Sequence, residues 1–222
     1  MFSVYEKIVH KITRKLYPKL AKYRRKKINN TDFTIISNNC WGGICYEYFG
    51  LPKQSPTVGT YFFAEDYIKF VSNLKHYLMT EMRIIKAEES KHYLSLKAKS
   101  ELDAPIGVLD DVEIVFLHYK NPELALQKWN RRVSRVNLDN IIIKFSYMNE
   151  CNDDLLRKFM NIEGLKKICF IGGKGDSTDE LIYLPEYDDL TVLDDTFYWN
   201  KYFDICEINQ KFIYLLLYYN LT

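Results

Sequence analysis

Two short stretches of this chain hold side chains able to do chemistry. In the first, a β-branched run over residues 33–37 stops at Asn38, Asn39, Cys40, Trp41, Gly42 and Gly43, and a tyrosine-rich helical pattern follows. Open α/β folds place ligands where a buried strand ends in polar, permissive residues ahead of a helix. Cys40 is a candidate nucleophile, because a helix start favours the thiolate. Asn38 and Asn39 both donate and accept, so they can read hydroxyl groups. Trp41 offers a ring for sugar stacking, and Gly42 and Gly43 allow close backbone approach. Each has a plainer alternative: the amides satisfy a turn, Cys40 is a small buried hydrophobe, and Trp41 is a lid on the core.

The second stretch is an apolar strand over 112–119 that closes on His118. An imidazole there can move protons near neutrality and is a candidate catalytic base, unless it merely bonds backbone. Asn121, Pro122 and Glu123 then read as an N-cap, an N1 proline and a first-turn acid. A helix start beside the imidazole suits an anionic group. Trp129, Arg131, Arg132 and Arg135 follow on that helix, with Arg131 and Arg135 one turn apart and Arg132 on the face of Trp129. Arginine forks bind carboxylate or phosphate; surface ion pairing is the alternative. Ser55 and Thr57 flank a proline in a rigid polar loop whose hydroxyls could touch a ligand or simply make a turn. The glycines around Lys174 could cradle phosphate, but both standard phosphate-loop patterns are incomplete and a tight turn is the simpler reading.

No Cys/His cluster has zinc-ligand spacing, and the acid pairs at 110–111, 188–189 and 194–195 read as loops or caps, so no metal is assigned. No resident cofactor is implied; an activated sugar or acyl donor would come as substrate.

These groups need elements to position them. The chain has 222 residues, 47% hydrophobic and 27% charged, which suits a globular domain with a substantial core. Its net charge of +2 conceals an asymmetry. Residues 1–30 hold ten cations against Glu6 alone, a net +9, which leaves the other 192 residues at −7. Over residues 1–28, Phe2, Tyr5, Ile8, Val9, Ile12, Leu16, Leu20 and Tyr23 recur at helical spacing among basic residues. Such a helix can lie on an anionic membrane surface, or pack on the domain with a solvated basic face. No nucleic-acid-reading motif accompanies its basic run, so nucleic acid is not an expected partner. Residues 28–32 read as a linker.

Beyond it, the patterns predict a strand at 33–37, a helix near 44–49, a long helix from Ala64 to Met82, one or two weak strands in 83–99 and a short strand at 105–109. A regular series follows: strand 112–119, helix 122–135, strand 140–147, helix 152–161 and strand 166–172. A strand at 181–184 and an apolar helix from Asp195 to Tyr219 complete it. Near-continuous apolar strands linked by helices indicate the α/β class: a mostly parallel, Rossmann-like sheet with helices on both faces, preceded by a basic amphipathic N-terminal helix. The expected organisation is a helix at 1–30 and an α/β domain at 31–222, with a subdomain division near 105. Five cysteines without C-x-x-C spacing, no signal peptide and no apolar run of membrane-spanning length indicate a cytoplasmic protein, peripheral at most to the inner membrane face.

The segment from Phe33 to Gly43, with Ser55 to Thr57, Phe116 to Tyr119 and Trp129 to Arg132, resembles a bacterial family called domain of unknown function nineteen-nineteen. The likeness spans residues 30 to 215, and the asparagine-cysteine-tryptophan-diglycine segment is its distinctive part. Members are often labelled exopolysaccharide or capsule biosynthesis proteins. The resemblance therefore implies a transferase, glycosyl or acyl, acting on a surface-polysaccharide precursor, with a carbohydrate or anionic small molecule as ligand. It assigns no catalytic role. Two other readings stand beside it: a non-catalytic sugar- or partner-binding subunit, which predicts that Cys40 and His118 stay apart, and a thiol enzyme that uses both.

Overall fold

A computed structural model describes residues 3–119, 121–197 and 199–205. It opens with helix α1 (Val4–Arg25), capped by Ser3 and Glu6: Ser3 Oγ accepts from Glu6 N at 3.2 Å, and Glu6 Oε2 accepts from Ser3 N at 2.7 Å. Strand β1 (Thr34–Ser37) then leads into helix α2 (Trp41–Phe49). Helices α3 (Ala64–Ser72) and α4 (Leu74–Met79) stand where a single long helix was expected, because the backbone breaks at Asn73 (φ −136°, ψ 49°). Next come β2 (Arg83–Ile85), a short 3-10 turn, α5 (Tyr93–Ala98), β3 (Ile106–Leu109) and β4 (Val112–Val115). Helix α6 (Pro122–Val133), β5 (Ile141–Ser146), α7 (Asp153–Met160), β6 (Lys166–Gly172), β7 (Leu181–Leu184) and the short α8 (Trp199–Tyr202) complete the described order. Most of the apolar helix expected over 195–219 lies outside the described residues.

The fold is α/β. Four parallel strands pair in the order β1-β5-β6-β7, flanked by helices. Strand alternation sorts side chains onto two cores. Ile36, Ile141, Ile143 and Phe145 face Tyr67 and Phe70 of α3, Trp129 of α6 and Phe159 of α7. Ile35, Ile142, Ile168 and Phe170 face Trp41, Tyr46 and Phe49 of α2 and Trp199 of α8. Burial of each large side chain contributes on the order of 1.5–3 kcal/mol, which explains why the strands read as continuous apolar runs.

The expected first strand of the regular series, 112–119, does not join this sheet. Only Asp110 and Asp111 separate it from β3, and Asp110 turns the chain at φ 52°, so β3 and β4 form an antiparallel hairpin. A parallel neighbour would need a crossover of a dozen residues or more. Strand β2 pairs with β3 to give a second, three-stranded sheet, so a division near residue 105 would separate two hydrogen-bonded strands. Val112, Ile114 and Phe116 of this sheet pack on the α3 side of the main core, while Ile106, Val108 and Val115 meet Leu96 of α5. Tyr61 bridges Val115, and Phe62 N donates to Asn38 O at 3.0 Å, which brings the end of β4 to the carboxyl end of β1.

Candidate active site

The turn after β1 and the turn after β4 meet in one cleft. Cys40 is the N-cap of α2, and His118 lies two residues past the last pairing of Phe116 with the Pro105 carbonyl. Their side chains touch: Cys40 Sγ is 3.3 Å from His118 Nε2. With the imidazole proton on Nδ1, the thiol donates to Nε2. The surrounding cavity is about 400 Å³, lined on one side by Asn39, Arg14, Asp194, Asp195 and Thr196 and on the other by Tyr61, Lys99, Glu101 and Asn149. That volume lies within the range of small-molecule sites. The wall carries both charge signs and several amide and hydroxyl groups, interleaved with apolar surface from Ile44, Leu117, Met148 and Leu193.

Cys40 sits at a helix start, which alone would favour its thiolate. Burial prevails and, with the negative charges of Asp195 and Asp194, pushes the thiol up to about 12. The resting group is therefore a neutral thiol, and its proton must leave as sulfur attacks. His118 Nε2 is placed to take it.

Below the cleft lies a sealed polar network. Lys144, in the middle of β5, is fully buried and pairs with Asp195. Its Nζ also donates to Ser146 Oγ at 2.6 Å and Asn39 Oδ1 at 3.1 Å. Asp195 Oδ2 accepts further from Asn39 Nδ2 at 2.9 Å and Ser146 Oγ at 2.5 Å. Burial pulls the Lys144 ammonium down from its ordinary value, and the Asp195 carboxylate opposes it. The ammonium also stands over the Trp41 and Phe170 rings, 5.5 and 5.1 Å from their centroids. Asp195 Oδ1 is buried with no hydrogen-bond partner among the described residues.

Of the residues read from sequence as a site, Asn39, Cys40 and His118 line this cleft. The others have different work. Asn38 is sealed and exchanges hydrogen bonds with the backbone of Ser146, its Nδ2 donating at 2.9 Å and its Oδ1 accepting at 3.0 Å, so it joins β1 to β5 instead of reading a ligand. Trp41 is enclosed between Phe170 and Trp199 and offers no face to a sugar. A Cβ on Gly42 would meet Ile35 Cγ2 at 3.1 Å, and one on Gly43 would meet Val58 Cγ1 at 3.0 Å, so both glycines serve helix packing against strand and loop. Ser55 Oγ and Thr57 Oγ1 lie 2.9 Å apart, and Thr57 Oγ1 accepts from Ser37 N at 3.1 Å; both residues are buried and cap the edge of β1. Trp129 is buried in the main core. Arg132 is buried too, donating to Val58 O at 2.8 Å and to Tyr119 Oη at 2.5 Å. Since Gly59 O accepts from His118 N at 3.3 Å, this clamp holds the loop on which His118 rests. Arg131 is exposed and lies outside the cleft lining.

Several lining residues escaped the sequence reading. Asp194 and Asp195 read as a loop or cap, Thr196 fell in the helix expected from Asp195, Arg14 was one of the basic residues of the N-terminal helix, and Lys99, Glu101 and Asn149 carried no pattern. One signal was present: Lys144 interrupts an otherwise apolar strand, and a lysine there demands a buried acid. Among the described residues, no group of three or more His, Cys, Asp or Glu is placed to hold a metal ion.

The chain is similar to other known proteins. The sequence profile of one family, described as domain of unknown function (DUF1919), matches residues 9–217. A relative described as an uncharacterized protein of Haemophilus influenzae is 26% identical over 185 residues, covering 81% of this chain and 84% of its own.

Proposed function

We propose, for a chain that belongs to the family described as domain of unknown function (DUF1919), that the cleft catalyses acyl transfer to a hydroxyl-bearing acceptor through Cys40. The observation that carries this reading is the 3.3 Å contact between Cys40 Sγ and His118 Nε2 in the lining of a cavity of mixed polarity. In the first half-reaction, sulfur attacks the donor carbonyl while Nε2 takes the thiol proton. The imidazolium returns that proton to the leaving group as its bond to the acyl carbon breaks, and a thioester remains. An acceptor hydroxyl then attacks the thioester; Nε2 takes the hydroxyl proton and gives it back to the departing sulfur. Glu101, Asn149, Asp194 and Thr196 line the cleft and offer hydrogen-bonding groups to a polyol, while Arg14 and Lys99 would meet an anionic group on donor or acceptor. The labels that accompany the resemblance make a surface-polysaccharide precursor, handled at the inner face of the membrane, our choice of acceptor. A non-catalytic sugar-binding subunit fits less well, because it has no use for a thiol held against an imidazole.

One observation favours a second reading, glycosyl transfer with His118 as base toward the acceptor hydroxyl. The Cys40 thiol is pushed up to about 12, so it could serve only to orient the ring. Intact-mass measurement separates the two. The full chain is incubated with p-nitrophenyl acetate or acetyl-coenzyme A and then mapped by peptide. A single acetyl group on Cys40, lost in Cys40→Ser and strongly slowed in His118→Ala, is expected. Acylation scattered over lysines, with none on Cys40, rejects the thioester route.

A further inference from the structure

The apolar stripe of α1 does not face the domain. The helix docks through His10, Arg14, Tyr17, Ala21 and Arg24: His10 stacks on Phe197 at 4.1 Å, Arg14 pairs with Glu47 at 2.8 Å, and Arg24 lies 3.8 Å over the Tyr48 ring. Tyr17 and Ala21 are the buried residues of the helix. At about 100° per residue, that set occupies one face, and Tyr5, Ile8, Ile12, Leu16 and Tyr23 fall on the opposite one. They are exposed, Tyr5 at 76%, Ile8 at 52%, Ile12 at 55% and Tyr23 at 69%. Lys7, Lys11, Lys15 and Lys22 run along one flank of the stripe, Lys19 interrupts it, and all five are exposed as well. Beside this flank lies an open cavity of about 340 Å³ lined by His10, Lys11, Arg14, Lys15 and Glu47.

We propose that α1 lies in the surface of an anionic bilayer, with its apolar stripe among the acyl chains and its lysine flank on lipid phosphates. A helix of 22 residues is about 33 Å long, and no helix among the described residues is long and apolar enough to cross a membrane, so α1 rests in the interface plane. Charge selects the occupant. The +9 of residues 1–30 is set against the −7 of the remainder, so a negatively charged surface attracts this helix and repels the rest of the chain. A second copy of the chain would have to bring two like-charged flanks together. Arg14, on the docked face of the same helix, lines the Cys40–His118 cleft, so the cleft would lie roughly one helix diameter, about 10 Å, from the bilayer and within reach of an acceptor carried on a lipid. That last clause rests on the acyl-transfer reading; the docking itself does not.

The test is flotation of the full chain with vesicles of phosphatidylcholine alone and of phosphatidylcholine mixed with phosphatidylglycerol. The protein is expected to float with the mixed vesicles and stay behind with the neutral ones. Ile12→Asp with Leu16→Asp should abolish flotation. Lys11→Gln, Lys15→Gln and Lys19→Gln together should weaken it roughly a hundredfold, at about fivefold per lysine. All these positions are exposed, so circular dichroism should be unchanged. Equal flotation on both vesicles, no flotation, or flotation indifferent to both variants overturns the proposal. So does lipid-free self-association in sedimentation velocity that Ile12→Asp removes, since the stripe would then belong to a second copy. None of these results touches acylation of Cys40, which is read separately.

Discussion

The reactivity of Cys40 toward iodoacetamide follows from its surroundings. Burial, helped by Asp195 and Asp194, pushes the thiol up to about 12, where an ordinary cysteine titrates near 8.5–9. At neutral pH the thiolate fraction is then on the order of a thousandfold lower than for an ordinary thiol. A more basic thiolate is also a better nucleophile, with a Brønsted slope of about 0.4–0.5, which returns roughly twentyfold. Alkylation of Cys40 should therefore run roughly fifty times slower than that of glutathione in the same tube. The sign is fixed: below its titration point, each rise of about one pH unit multiplies the thiolate tenfold, so the rate should climb steadily from about pH 6.5 to about 9.5 without levelling. Peptide mass spectrometry of the alkylated chain measures it site by site. A plateau near neutrality, at a rate matching or exceeding glutathione, would mean a standing thiolate–imidazolium pair. It would refute the claim that His118 acts on a neutral thiol.

Lys144→Met leaves Asp195 buried without its cation and should cost about 3–5 kcal/mol, a fall in Tm of roughly 10 °C by circular dichroism; a loss under about 1 kcal/mol would show that the pair is not sealed. Gly50 ends α2 at φ 61°, and a Cβ there would lie 2.8 Å from Ala21 Cβ, so Gly50→Ala should loosen α1 and speed proteolysis in the 28–32 linker while the sheet stays intact. Burial works to raise the Glu47 carboxyl, but hydrogen bonds and charge from Lys53 and Arg14 win and hold it below its ordinary value. The docking of α1 that this carboxylate supports is present above the unfolded value, about 4.3, and is lost as pH falls through the lower folded one. Linker proteolysis measured across the acid range should show that onset, and Glu47→Gln should be cleaved equally at all pH values.

Much of the architecture was legible because local patterns and tertiary packing agree. Strands β5 and β6 lie buried on both faces, so their apolar runs announced a parallel sheet. The 112–119 run misled for the same reason: a buried hairpin strand is as apolar as a buried parallel one, and only the two-residue Asp110–Asp111 connection distinguishes them. At the site, Asn39, Cys40 and His118 were readable because each closes a strand with a polar group. Asn38, Ser55, Thr57 and Arg132 are equally polar and adjacent, yet they spend their hydrogen bonds on neighbouring backbone. Sequence gives the donor but not the direction in which it points. Asp195 was hidden because its partner Lys144 is 51 residues away and contact, not spacing, joins them. The exposed stripe of α1 was ambiguous for a related reason: an amphipathic period says that one face is apolar, not that this face meets the core.

A double-mutant cycle on acetyl transfer reads the pairing of Cys40 with His118 most directly. Cys40→Ala, His118→Ala and the double variant are compared by single-turnover release of p-nitrophenol. Two groups working as one unit should give losses that do not add, with the double variant no slower than either single one. Retention of the rate in Cys40→Ala, or losses that multiply, would contradict it.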